Sequence, residues 1–236
     1  MRLSVLTVTR GEAYAAPFLR AMATLSHSLG AEFVLALDGS GAVPVQADTV
    51  VRVTSNGYVE SVLEAGLAAC RGEHVLRLDD DERASPAMAT WLQSGAWLTP
   101  PDRPSVHWQF HRLELWPDAQ SAILTPPLFG CCQTRLSVRA KAGGRRRVHG
   151  GSPFGGGTVA PVALEHHKFL VKSLADRRAL AAWYDCAQPG YGTGPVMLPF
   201  NVPEDAFAEV TIGACGDGTI PWQPTWTKQL PMGATR

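Results

Sequence analysis

The apolar positions change their period along the first hundred residues. Leu3 to Val8 is a short β-rich apolar run, the signature of a buried strand. Pro17 then opens a helical pattern in which Phe18, Leu19, Met22, Leu25 and Leu29 share one face, and Gly30 supplies the stop. Phe33 to Leu37 predicts a second strand, closed by the turn Asp38-Gly39-Ser40, and Val50 to Val53 a third. Ser55 or Asn56 is placed to cap a helix whose inner face carries Val59, Val62, Leu63, Leu67 and Cys70, with Gly72 at its end. His74 to Leu78 is a fourth strand that runs straight into Asp79-Asp80-Asp81, and Ser85-Pro86 starts a helix bearing Met88, Trp91 and Leu92. Strands alternating with helices in this way predict an α/β domain with parallel strands in a doubly wound sheet.

Beyond residue 100 the pattern changes. Ser105 to Leu115 alternates, with Val106, Trp108 and Phe110 on one side and His107, Gln109 and His111 on the other. Thr134 to Arg139 and Val159 to Leu164 read as further strands. Ser173 and Asp176 form a capping pair for a helix through Tyr184. Residues 142–157 are rich in Gly and Arg, a mobile-loop composition. From Cys186 onward Pro and Gly dominate, with Trp222 and Trp226 suited to cover the domain or a partner. The expected division is one domain in two halves, 1–100 and 101–185, followed by an extension over 186–236.

The 236 residues suit one large domain rather than two. Lys+Arg and Asp+Glu are both 21, so no global field argues for nucleic acid or an anionic membrane. There is no apolar run of membrane-spanning length and no secretory leader pattern, so a cytoplasmic location is expected. Five cysteines without a C-x-x-C argue against a disulfide framework or a zinc ribbon.

The strongest chemical signal is the acidic triplet at a strand's carboxyl end, the edge where parallel α/β sheets bind ligands. Clustered carboxylates repel one another unless a cation compensates, and hard oxygen donors suit Mg²⁺ or Mn²⁺, which bridge phosphates. On extended chain the first and third side chains share a side, so Asp79 and Asp81 are expected to point together and Asp80 away.

Three segments, in order, resemble glycosyltransferase family 2, the GT-A nucleotide-sugar enzymes. They are Ser4 to Thr9, Leu37-Asp38-Gly39-Ser40, and the run from Asn56-Gly57 through Arg71-Gly72-Glu73 to Leu78-Asp79-Asp80-Asp81. The resemblance implies a single GT-A (Rossmann-like) α/β domain with a mostly parallel central sheet and an irregular C-terminal tail. It implies that Asp38 contacts the base, that Asp79 lies near the ribose, and that Asp81, with Asp79, holds a Mn²⁺ or Mg²⁺ ion in a DxD motif bridging the diphosphate. Asp80 belongs to the same nucleotide-sugar site, and Thr7 or Thr9 lines the base pocket.

Arg147-Val148-His149 and Leu164-Glu165-His166-His167-Lys168 resemble a second pattern of some family members, although Gly150 stands where those relatives place Glu. His149, His166 and His167 are candidates to complete the metal or diphosphate site, His167 as a metal ligand and His149 in catalysis. Lys168, Lys172 and Arg177 can neutralise a leaving diphosphate. The general base an inverting transfer needs is expected at Glu165, then Glu114, then Asp118. The function expected is metal-dependent, inverting transfer of a hexosyl group from a nucleotide diphosphate donor, UDP-linked, to a glycan, lipid, small molecule or modified nucleic-acid base. Alternatives are a non-catalytic nucleotide-sugar-binding or scaffold protein, or a nucleotidyltransferase, although Thr9-Arg10-Gly11-Glu12-Ala13 lacks the latter's Gly-rich loop. Donor sugar, acceptor and oligomeric state stay open at this point.

Overall fold

The computed structural model describes residues 2–43, 45–55, 60–98, 107–123, 132–142, 157–190, 212–214 and 216–218. His149, the Arg147 segment, the arginines and glycines of 143–156 and the tail tryptophans, for all of which the sequence raises expectations, lie outside the described residues.

Four strands of the first half, β1 (Leu3–Thr9), β2 (Glu32–Asp38), β3 (Thr49–Val53) and β4 (His74–Arg77), pair in parallel in the order β3-β2-β1-β4. Every residue of β1 is buried, which explains its continuous apolar run: it has covered faces on both sides. Helix α1 (Ala15–Ser28) lays Phe18, Leu19, Met22 and Leu25 on one face of the sheet. Helix α2 (Glu60–Ala69) lays Val62 and Leu63 on the other, against Leu6, Val34 and Ala36. Gly30 takes φ +59 just past α1, a left-handed turn that favours glycine. At Gly72 a Cβ would stand 2.6 Å from the backbone of Leu3 and Ser4, so the helix-to-strand passage requires a residue with no side chain.

The second half extends the same sheet instead of forming its own. Strand β8 (Cys132–Val138) joins antiparallel to β4, β6 (His107–Glu114) antiparallel to β8, β9 (Thr158–His166) parallel to β6, and β5 (Glu82–Ala84) antiparallel to β9. The eight-stranded order is β3-β2-β1-β4-β8-β6-β9-β5, mostly parallel. Helix α3 (Pro86–Ser94) is capped by Ser85, whose hydroxyl accepts from the Met88 amide. Helix α5 (Leu174–Ala187) starts with the reciprocal Ser173–Asp176 capping box and follows the single-turn α4 (Lys168–Val171).

Several expectations need correction. The Ser55 amide and hydroxyl both donate to Asp38, and Asn56, the other cap candidate, lies outside the described residues. His111, expected on the side of β6 opposite Trp108 and Phe110, is buried as they are, so burial does not follow the alternation there; the β6 register shifts after Trp108 and again after Gln109. Strand β5, β7 (Ser121–Ile123) and β10 (Ile212–Ala214) are three residues each, too short for a periodic signal. The described segments of the C-terminal extension pack on the domain: β10 pairs with β7, and the Asp217 and Gly218 carbonyls accept from the Ala87 and Ala163 amides. No described helix is long and apolar enough to cross a membrane.

Candidate active site at the carboxyl edge of the sheet

Strand directions place the chemistry. Strands β1, β2, β4, β6 and β9 all run the same way, so Thr9, Asp38, Asp79, Glu114 and His166 stand at or just beyond their carboxyl ends along one edge. Six residues from both halves of the chain meet there around the acidic triplet: Tyr14, Arg77, Arg135, His166, Lys168 and Lys172.

The triplet is not extended. The Glu82 amide donates to the Asp79 carbonyl at 3.0 Å, closing a turn over Asp79–Glu82. Because the chain turns there, the strand rule for side-chain direction fails, and each carboxylate takes its own partners. Asp79 Oδ1 accepts from Arg77 at 3.0 Å and Oδ2 from Arg135 at 2.7 Å. Asp80 accepts from the hydroxyls of Thr9 at 2.6 Å and Tyr14 at 3.4 Å. Asp81, 5% exposed, faces His166 Nε2 at 3.5 Å with Oδ1 and Lys172 Nζ at 3.2 Å with Oδ2. The expected alignment of Asp79 with Asp81 is therefore replaced by three separately held acids.

The charge states follow from these partners. Burial opposes ionisation of Asp79 and Asp81, but the arginines beside Asp79 and the Lys172 ammonium and His166 beside Asp81 outweigh it and hold both pKa values low. Asp80 has hydroxyls for neighbours, and burial and then the Asp81 charge push it up to about 7. Desolvation likewise pushes the Lys168 ammonium down to about 8. Behind Asp81, His166 Nδ1 lies 2.5 Å from Glu114, which Arg112 also holds at 2.5 Å. Burial works against the imidazolium, yet Glu114 and Asp81 outweigh it, so the His166 pKa is raised.

Other expected residues sit elsewhere. Thr7 is fully buried under α1, its hydroxyl against the Met22 sulfur. Asp38 is tied to Arg10 at 3.2 Å and to Ser55. Glu165 and His167 pair with each other at 3.2 Å, and the His167 ring packs edge-on against Phe18, 5.0 Å between centroids. Its contacts thus differ from those of His166, the histidine that faces Asp81. Glu114 is 0% exposed and enclosed by Arg112 and His166, which leaves it no acceptor proton to take. Asp118 accepts from the Gln120 amide in the turn leading to β7. Arg177 is buried, donates to the Lys172 carbonyl at 2.9 Å and lies over the Phe169 ring. Arg135 and Tyr14 were not among the sequence candidates. Arg135 had a usable signal: an arginine in the middle of the strand Cys132–Val138 must find a carboxylate when buried.

Beside the triplet lies a cleft of about 430 Å³ between the β1–α1 connection and α5, lined by Arg10, Glu12, Tyr14, Lys172, Asp176 and Trp183 among others. The Arg10 guanidinium lies 4.8 Å from the Trp183 ring, so this wall joins Asp38 to α5.

No protein-family model matches the chain, and no curated protein matches it. Solved structures do. The S. aureus TarS fragment 1-349 is 13% identical, with 88% of this chain and 72% of that one covered at a TM-score of 0.50. A longer S. aureus TarS is 14% identical at a TM-score of 0.51, with 81% of this chain covered; this chain spans 41% of its length. At these identities the likeness concerns the fold. Strand order, helix placement and the acidic turn at the carboxyl edge together make this a GT-A-like glycosyltransferase fold.

Proposed function

We propose that this protein transfers a sugar from a nucleoside diphosphate donor, with uridine as the base, to an acceptor hydroxyl or amine. The observation that carries the reading is the set of carboxyl strand ends that brings Thr9, Asp38, the acidic turn, Glu114 and His166 to one edge, with Lys168 and Lys172 beside Asp81. TarS 1-349 has been solved in complex with UDP and with UDP-GlcNAc. That ligand class is carried to this chain as part of the proposal.

In the proposed reaction the acceptor oxygen forms a bond to the anomeric carbon as the bond to the diphosphate breaks. One displacement inverts the centre. The bonding electron pair leaves with the diphosphate, whose growing charge Lys168 and Lys172 neutralise. Asp38 is proposed to read the base end, Thr9 to hold Asp80 beside the donor, and Asp79 to face the ribose. The acceptor proton goes to a base, for which Glu165, hydrogen-bonded to His167 and able to pass the proton on, is our proposal.

A divalent ion was expected on Asp79, Asp81 and His167. Hard carboxylate oxygens are the right donors, but these three residues do not fit it as they stand: arginines hold Asp79, and His167 is paired to Glu165. The testing experiment is a screen of nucleotide sugars, with and without Mn²⁺, read by donor hydrolysis, which needs no acceptor. Turnover of one donor, abolished by Asp81→Asn, is the expected result. A donor that binds but is never cleaved would favour the non-catalytic alternative.

A further inference from the structure

The six carboxylate oxygens of the acidic turn are all engaged by this chain's own side chains. Arg77 and Arg135 take the two of Asp79, Tyr14 and Thr9 the two of Asp80, and His166 and Lys172 face the two of Asp81. Four of these six partners are basic side chains. Among the described residues no group of three or more His, Cys, Asp or Glu side chains is arranged to hold a metal ion. A divalent ion seated on Asp81 would share that carboxylate with an ammonium already at 3.2 Å, and like charges that close repel.

We propose that the Lys172 ammonium is the cation of this site: it meets the donor's diphosphate directly, so that nucleotide binding requires no divalent metal. The inference rests on the nucleotide-sugar reading above. Lys172 is built to hold this position. Its amide donates to the Lys168 carbonyl at the end of α4, and its own carbonyl accepts from Arg177, which is 1% exposed. The side chain crosses the Tyr14 ring at 4.9 Å, and the residue lines the cleft beside the triplet, so a phosphate entering that cleft reaches it. An ammonium is a compact point charge with three donors; Asp81 takes one and the Tyr14 hydroxyl another, which leaves one for a phosphate oxygen. Lys168, 7% exposed and close enough to Asp81 to affect its charge, adds a second positive group on the same short turn.

The test is calorimetric titration of the full chain with UDP, GDP and CDP, in EDTA and again with Mn²⁺. One of the three is expected to bind equally well under both conditions. Lys172→Met is expected to weaken that binding in EDTA by about tenfold or more, the range of a lost charge-assisted hydrogen bond. Mn²⁺ should then restore it, because Asp81 is freed for the metal. Lys172→Arg keeps the charge and should keep metal-free binding. Binding by the wild type only with Mn²⁺ overturns the inference while leaving the nucleotide-sugar reading standing. So does a folded Lys172→Met variant that binds undiminished in EDTA. If Lys172→Met does not fold, the wild-type comparison and Lys172→Arg decide. No binding of any nucleotide under either condition removes the reading itself, and the inference with it.

Discussion

Replacing Arg135 with Met removes the cation that joins the acidic turn to the middle of the sheet. Its side chain is 3% exposed and reaches Asp79 at 2.7 Å and Glu82 at 2.5 Å. Glu82 is 0% exposed, and once Arg135 is gone the Asp79 amide at 3.0 Å is its remaining hydrogen bond among those identified. Breaking a buried ion pair from one side costs about 3–5 kcal/mol, because a charge stays buried without compensation. Asp79 adds little to that cost, since its side chain is 34% exposed, water screens it, and Arg77 remains bound. The expected loss is therefore at the lower end, about 3 kcal/mol. With a urea slope of about 2–3 kcal/mol/M for a domain this large, the unfolding midpoint should drop by about 1 M. Circular dichroism in urea reads this directly. The double variant Arg135→Met/Glu82→Gln removes the stranded charge and should recover a clear part of the loss. A single variant that costs less than about 1 kcal/mol, or a double variant with no recovery, would refute the account of this cluster.

Other outcomes follow from the same contacts. Asp80 is raised to about 7 in the folded chain and is near 4 when unfolded, so the folded state holds its proton more tightly; that contribution is present below about pH 4 and lost as pH rises through 7. The stability of Asp80→Asn relative to wild type should then increase from pH 4 to pH 7 in urea melts, and a flat difference would deny the shift. Gly72→Ala drives a methyl into the backbone of Leu3 and Ser4 at 2.6 Å and should cost about 1–3 kcal/mol or more by thermal melting. Phe110→Ala, at a fully buried core position, should cost about 3–5 kcal/mol. Glu165→Gln should lower donor turnover in the presence of acceptor while leaving nucleotide affinity within about threefold, the pattern of a group that acts only in the transition state; unchanged turnover would remove it as the base.

Much of this was legible in the sequence where one periodic pattern had one structural meaning. The run Leu3–Val8, the α1 stripe, the Ser85 cap and the Ser173–Asp176 box all obey local rules, and the structure places them as read. Strand direction in the second half was not legible, because an antiparallel β8 and a parallel β9 carry the same apolar alternation. The site was legible as a place but not as a geometry. Its acidic turn announces itself, yet a single turn hydrogen bond, Glu82 amide to Asp79 carbonyl, redirects the three carboxylates. Adjacent His166 and His167 could not be told apart either. Only the pairing of β9 with β6 and β5 sends one to Glu114 and Asp81 and leaves the other to Glu165 and Phe18.

The claim at the centre is that a nucleoside diphosphate sits at the sheet's carboxyl edge beside Asp81. A crystal structure of the chain grown with saturating UDP measures it. The account predicts the diphosphate within hydrogen-bond reach of the Lys172 ammonium, in the cleft between Tyr14 and α5. Nucleotide bound at any other face, or that cleft left empty, would contradict it.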